Sequence, residues 1–300
     1  MQLLTNNLSL HLIFNSVDML IFNNQIDLKT HLESIKIKGT TIGFVPTMGA
    51  LHEGHLSLIR QSLSENSITV MSIFVNPTQF NNMEDLKKYP RTLEADVQKI
   101  ATVSPNVIVF APTVDDIYKG NTVSGSFDFD GLEQQMEGRH RPGHFDGVGT
   151  IVKRLFEIVE PTNAYFGEKD FQQLQIVKKM VAKLKIPVNV VGIPISRESN
   201  GLAMSSRNER LSTGERSNAA FIYEILETAK KKFLTQSAKR VSVWVEKAFQ
   251  RRKDIRLEYF EIADENTLLP CVRKRRSRKC RAFIAVFVND VRLIDTIALN

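Results

Sequence analysis

The chain has 300 residues, 42% of them apolar and 24% charged, with 15 Gly, 10 Pro and 2 Cys. Those values exclude a disordered, collagen-like or disulfide-stapled chain, and no apolar run approaches the roughly 20 residues of a membrane span. The net charge is +7, so a nucleic-acid-binding role stands as a rival to any enzymatic reading.

Residues 1–18 lack a basic start and a small-residue cleavage site, so they are expected to be an extension of no assigned role rather than a secretory signal. From residue 19 apolar runs and helical periodicities alternate. Thr41–Pro46 predicts a buried strand, Leu56–Leu63 a helix, and Ile68–Val75 a strand apolar on both faces. Thr92–Ile100 reads as helix, Val107–Phe110 as strand, Val148–Ile158 as helix and Ala164–Phe166 as strand. Phe171–Leu184 is an amphipathic helix and Val188–Ile193 a further strand. This alternation predicts an α/β fold, a Rossmann-like parallel sheet over 19–194 with its loops along one edge.

After residue 194 the texture changes. A polar loop over Ile195–Asn208 leads to helices over Gly214–Phe233 and Ala238–Arg252. Short strands over Leu257–Ile262, Ala282–Val288 and Val291–Ile294 follow, the last two joined by a tight turn at Asn289-Asp290. Residues 195–300 are therefore expected to form a smaller C-terminal α+β domain.

Four loops carry side chains suited to chemistry. Met48, Gly49, Ala50, Leu51, His52, Glu53, Gly54 and His55 follow the first strand and run into a helix. Free N–H groups at a helix start suit a phosphate, and an imidazole can stabilise its developing charge. A His-x-x-His pair alone makes a poor zinc site, which wants three or four protein ligands. Asn76 and Gln79 stand in the loop after Ile68–Val75 and offer neutral amides; a merely capped turn is the competing reading. Gly167, Glu168, Lys169 and Asp170 open the helix that carries Gln173; Asp170 is placed to cap it, and Lys169 makes sense there if an anion is bound. Met204, Ser205, Ser206 and Arg207 present two hydroxyls and a guanidinium that can grip a pyrophosphate, though a plain surface turn has the same composition.

Six strings in order, PTMGALHEGH at 46–55, FVNPTQF at 74–80, YPRTLEAD at 89–96, RPGHFDGV at 141–148, FGEKDFQQL at 166–174 and GLAMSSRN at 201–208, resemble the pantoate–β-alanine ligase family. The resemblance runs from about residue 19 to the end and weakens in the last third. It implies an ATP-dependent ligase that joins pantoate to β-alanine through a pantoyl adenylate, releasing pyrophosphate and AMP. It implies Mg²⁺, a homodimer and a cytoplasmic enzyme, with no specific nucleic acid and no membrane. By the resemblance His55, His52 and Lys169 are catalytic, and residues 48–55 line the ATP site. Gly167, Glu168, Lys169, Asp170, Ser196, Met204, Ser205, Ser206 and Arg207 also meet the nucleotide. Gln79 holds pantoate and lies near β-alanine, and Gln173 holds pantoate. Arg141 and His144 fall in a loop similar to the family's and are expected to approach the substrate, with no step assigned to them. A different adenylate-forming ligase shares the ATP motifs, so the acid rests on Gln79, Gln173 and the resemblance.

The charge is local. Arg273, Lys274, Arg275, Arg276, Arg278, Lys279 and Arg281 supply seven positive charges within nine residues, and the remaining charges cancel. A solvated loop remote in sequence from every catalytic motif is expected there. Cys271 and Cys280 are expected to be reduced thiols, Trp244 to lie in the core, and His11 and His31 at the surface.

Overall fold

The computed structural model describes residues 19–271 and 278–300. Six parallel strands, β1 (Ile21–Phe22), β2 (Ile42–Thr47), β3 (Ile68–Ile73), β4 (Ile108–Phe110), β5 (Asn163–Gly167) and β6 (Asn189–Ile193), form a sheet in the order β1-β4-β3-β2-β5-β6. The chain builds outward from β2 to β4, then returns to lay β5 on the other side of β2, so the strand order reverses there. Loops on the two sides of such a reversal diverge and leave a crevice at the carboxyl edge.

Helices cover both faces of the sheet. Chain order gives α1 (Gln25–Ile35), α2 (Glu53–Glu65), α3 (Met83–Lys88), α4 (Leu93–Val103), α5 (Val114–Tyr118), α6 (Met136–His140), α7 (His144–Val159) and α8 (Phe171–Leu184). One face buries Phe44, Val70 and Ala164 against α1, α7 and α8. The other buries Val45, Met71 and Tyr165 against α2 and α4. With apolar contacts on both sides, the strands show no in–out alternation, as their apolar runs predict.

The C-terminal part carries α9 (Thr213–Asn218), α10 (Phe221–Phe233) and α11 (Ala238–Gln250). They precede an antiparallel sheet of β7 (Ile255–Asp264), β8 (Cys280–Val288) and β9 (Val291–Ala298). Its core packs Ile225, Val241 and Val245 on Ile284 and Val286. Ala263, Leu268 and Phe283 join the core of the parallel-sheet part instead, so apolar packing crosses between the two parts.

The structure departs from the predicted elements at identifiable points. The helix expected from Leu56 starts at Glu53, because His52 caps it. The helix expected from Val148 starts at His144, behind a left-handed Gly143. The single helix expected over Gly214–Phe233 is two: backbone bonds shorten to three-residue spacing at Ala220→Ser217, Ile222→Ala219 and Tyr223→Ala220, and the axis breaks. Edge strand β1, only two residues long, leaves no legible period.

The basic run also differs from expectation. Arg273, Lys274, Arg275 and Arg276 lie outside the described residues. Arg281, however, is not solvated: it sits inside β8, 6% exposed, stacked over Phe171 and bonded to Glu265 and Glu168. Arg278 faces Asp264 at 3.3 Å. Cys271 and Cys280 are buried and free, and burial next to Cys280 pushes the Cys271 thiol up to about 12. Trp244 packs at the edge of the C-terminal core under Lys232. His31 is half-buried against Phe22, and His11 lies outside the described residues.

One close approach matters for the site. Helix α7 lies against the turn Pro77–Gln79, and a Cβ on Gly147 would stand 2.4 Å from the Thr78 carbonyl oxygen. Gly147→Ala should therefore cost about 1–3 kcal/mol of stability through overpacking. Gly214→Ala, in α9 with nothing near its Cβ position, should be neutral or gain about 0.5–1 kcal/mol. Urea unfolding of both variants checks the contrast.

Candidate active site

Strand β2 delivers the chain into a turn in which Gly49 and Ala50 both take positive φ, +81° and +51°. Asp96, with no exposed surface, holds that turn from α4: its two carboxylate oxygens accept from the Ala50 N–H at 2.9 Å and the Leu51 N–H at 2.7 Å. Lys99 Nζ donates to the Leu51 carbonyl at 2.7 Å. Asp96 ends the YPRTLEAD string, which marks the segment but not the carboxylate that reaches across to the turn after β2.

The pinned turn sets the start of α2. The Gly54 N–H donates to His52 Nδ1 and the His52 N–H donates to His55 Nδ1, each at 3.2 Å, a reciprocal cap made by two histidines. With both Nδ1 atoms accepting, each neutral ring carries its proton on Nε2. The ring centroids are 4.0 Å apart. Burial, then Lys169, pushes His52 down to about 4; burial, then His52 itself, holds His55 well below the usual imidazole range. Gly54 leaves room for the His52 ring, which its Cβ would meet at 2.9 Å.

A cleft of about 1230 Å³, part of it open to solvent, lies at the carboxyl edge. It is lined by Met48, His52, Gly54 and His55 after β2, Gln79 after β3, and Gly167, Lys169, Asp170 and Gln173 after β5. Ser196, Met204, Ser205, Ser206 and Arg207 line it after β6. Five predicted residues fall outside the lining. Gly49, Ala50 and Leu51 form the turn behind it, Glu53 pairs with Arg60 on the surface of α2, and Glu168 turns to Arg281 at 3.3 Å. Asp170 occupies the cap position of α8 without making a cap bond; its carboxylate accepts from Lys169 Nζ at 3.2 Å.

The amides and the serine-rich loop are already engaged. Asn76 also lines the cleft, but it is buried and its amide is already engaged: it donates to Gln79 Oε1 at 3.0 Å and accepts from the Tyr118 hydroxyl at 2.6 Å. Ser206 Oγ donates to the Ala50 carbonyl at 2.9 Å, tying the loop after β6 to the turn after β2. Arg207 Nη2 donates to Asp85 at 2.7 Å, and its guanidinium lies 5.7 Å from the Tyr89 ring centre.

Two neutral N–H donors at a helix start, a lysine and a crevice at a strand-order reversal make this an α/β protein with a candidate anion site at the carboxyl edge of its sheet. Residues 20–298 match the model of the family described as pantoate-β-alanine ligase. A pantothenate synthetase of Flavobacterium psychrophilum is 64% identical over 94% of this chain and all of its own. Among solved structures, pantothenate synthetase from Thermus thermophilus superposes with a TM-score of 0.85 at 38% identity, covering 94% of this chain and 99% of its own. Pantoate-β-alanine ligase from Francisella tularensis, solved with β,γ-ATP and β-alanine, gives 0.76 at 35% identity over 94% and 98%. The chain belongs to the pantoate-β-alanine ligase family.

The imidazoles have a stability signature. The ordinary value of 6.5 applies in the unfolded chain; in the fold His52 sits at about 4 and His144, buried beside Arg141, at about 3. Below pH 6.5 the unfolded chain therefore binds more protons, so stability should be full above pH 6.5 and fall progressively toward pH 4. Urea midpoints across that range check the fall, and the His52 ring proton should titrate near pH 4 by NMR.

Proposed function

We propose that this chain condenses pantoate with β-alanine at the expense of ATP, through a pantoyl adenylate, in the cleft described above. The observation that carries the reading is that His52, His55, Lys169, Gln79 and Gln173, drawn from three separate loops, line one cleft.

The first step joins two anions. A pantoate carboxylate oxygen forms a bond to the ATP α-phosphorus, and the bond from that phosphorus to the bridging oxygen of pyrophosphate breaks. The carboxylate is already a competent nucleophile, so no side chain has to form a covalent intermediate. Alignment supplies the main gain, and good alignment is worth roughly 7–11 kcal/mol. Gln79 and Gln173 suit the task because neutral amides orient the acid without neutralising its attacking oxygen. His55 Nε2–H, aided by His52, donates to the charge growing on the α-phosphate, and Lys169 offsets the charge on the phosphates. In the second step the β-alanine nitrogen attacks the acyl carbon, AMP leaves, and the nitrogen gives up a proton.

In this reading Gly167, Ser196 and Met204 contact the nucleotide, and Ser205, Ser206 and Arg207 clamp phosphates. Gly49, Ala50 and Leu51 act by shaping the turn behind it. Among the described residues no group of three His, Cys, Asp or Glu side chains could hold a metal ion unaided. A Mg²⁺ carried by the nucleotide needs only one or two carboxylates, and Asp170 on the cleft wall fits that need. Bound there, the ion would neutralise phosphate charge.

The reading includes residues 19–194 as an ATP- and pantoate-binding domain, residues 195–300 as a lid, a homodimeric state and a cytoplasmic setting. The Ser206–Ala50 and Arg207–Asp85 bonds support the lid role, since they join the loop after β6 to the sheet edge. Among the described residues no helix is long and apolar enough to cross a membrane.

The test is pyrophosphate exchange into ATP with a panel of small acids. Exchange should require pantoate, and AMP release should require the further addition of β-alanine. His55→Ala and Lys169→Ala should each lower single-turnover adenylate formation by about 10²–10³-fold, with the circular dichroism spectrum unchanged. Near-normal pyrophosphate release from either variant would remove its assigned role.

A further inference from the structure

Gln79 is held from behind by residues that the reaction itself does not use. Its backbone carbonyl oxygen takes two hydrogen bonds, from His144 Nδ1 at 2.7 Å and Arg141 Nη2 at 3.3 Å. Arg141 Nη1 also lies 3.1 Å from His144 Nε2. A guanidinium only donates, so His144 Nε2 must accept, and the ring is neutral with its proton on Nδ1, aimed at Gln79. The tautomer is thus dictated by Arg141.

Arg141 has its own anchor. Glu137, 7% exposed, lies 3.6 Å from Arg141 Nη1. Its carboxylate accepts from both Nη atoms of Arg292, at 2.8 and 2.7 Å, and from the Tyr259 hydroxyl at 2.7 Å. Arg292 and Tyr259 belong to β9 and β7 of the C-terminal sheet. Arg292 Nε donates further to Glu258 at 2.8 Å. Burial alone would raise the Glu137 carboxyl, but Arg292 and Arg141 overcome it and hold the group at about 2. Glu137, Glu258, Arg141 and Arg292 together carry no net charge. A row of donors therefore reaches the back of Gln79 with its charge cancelled, and adds little positive potential that would dull the attacking carboxylate in front.

We propose that Arg141 and His144 are positioning residues that set the posture of Gln79 toward the small acid, with Glu137 fixing them to the C-terminal sheet through Arg292 and Tyr259. This rests on the function proposed above, in which Gln79 holds pantoate. A neutral amide binds a carboxylic acid weakly, so its value lies in where it points, and a shift of about 1 Å in a positioned group can cost about 10²-fold in rate. The Gln79 side chain is steadied by Asn76, which also donates to the Gly147 carbonyl of α7, at 3.2 Å. Both the side chain and the backbone of Gln79 are therefore referenced to the same stretch, residues 137–147.

Steady-state kinetics of the full chain tests the proposal. His144→Ala should raise the pantoate KM by about tenfold or more while the ATP KM stays within about twofold. His144→Asn, whose amide N–H can reach the position of Nδ1, should recover most of that loss. Arg292→Met, distant from the cleft, should raise the pantoate KM by a smaller factor and leave the ATP KM alone. Arg139→Ala, on the same helix as Glu137 but paired at the surface with Glu261, should change nothing. An unchanged pantoate KM in His144→Ala, or pantoate and ATP KM values rising together, would overturn the positioning role. Should His144→Ala fail to fold, the Asn variant and Arg292→Met decide the same question. Nitrogen-15 NMR of the wild-type protein is a readout independent of turnover: the proton of His144 must sit on Nδ1, and an Nε2–H ring overturns the proposal. Wild-type exchange that needs no pantoate would instead overturn the functional reading on which it stands.

Discussion

Asp96 is a carboxylate with no exposed surface whose two oxygens are spent on two consecutive backbone N–H groups. Ala50 holds a φ of +51°, a strained choice for a residue with a Cβ. The pair of charge-assisted bonds offsets that strain. Without the turn, the chain leaving β2 could not reverse in time for His52 to cap α2. The two imidazoles would then lose the reciprocal cap that fixes their tautomers. The position of the imidazole donors that line the cleft therefore rests on a side chain outside its lining.

The same logic governs charge. The proposed chemistry brings two anions into the cleft, yet among its described lining the only cationic side chains are Lys169 and Arg207, and each has a carboxylate neighbour, Asp170 and Asp85. The histidines add N–H donors without charge, because burial keeps them neutral. Around the cleft, charges are spent in pairs between the two parts of the chain: Arg281 on Glu168 and Arg292 on Glu137. Buried pairs of this kind contribute little net stability but are costly to break singly. They define how the C-terminal sheet sits on the loops rather than how tightly it is held.

Much of this architecture was legible because apolar periodicity is a local property. Helix α8 spans Phe171–Leu184, where the amphipathic pattern puts it, and the strands agree within a few residues. The four loops that meet at the cleft could be read from their positions after strands. What escaped was set by partners far away in the chain. Nothing local marks Asp96 as the ligand of residues 50 and 51, or Glu137 as the partner of an arginine 155 positions later. Arg281 is the plainest case: in a run of basic residues it reads as solvated, and only the fold brings Glu168, Glu265 and the face of Phe171 to it. The break between α9 and α10 was hidden for the opposite reason. Ala219 and Ala220 at the break are good helix formers, and only the backbone register changes there.

The two ends of the cleft consequently differ in how they achieve recognition. The end proposed for the nucleotide offers features that any helix start supplies, namely free N–H groups, a dipole and nearby donors, and such a site tolerates variation in what is attached to the phosphate. The end proposed for the acid presents two uncharged amides, Gln79 and Gln173, whose contribution there is geometric. Geometry of that kind cannot come from a flexible loop. Gln79 sits in a one-turn 3₁₀ segment fixed by Pro77, packed against Gly147, and bonded through both its side chain and its carbonyl. On the proposed function, substrate choice resides less in the identity of the glutamine than in the rigidity of what stands behind it, and that rigidity is drawn from α7 and, through Glu137, from the C-terminal sheet.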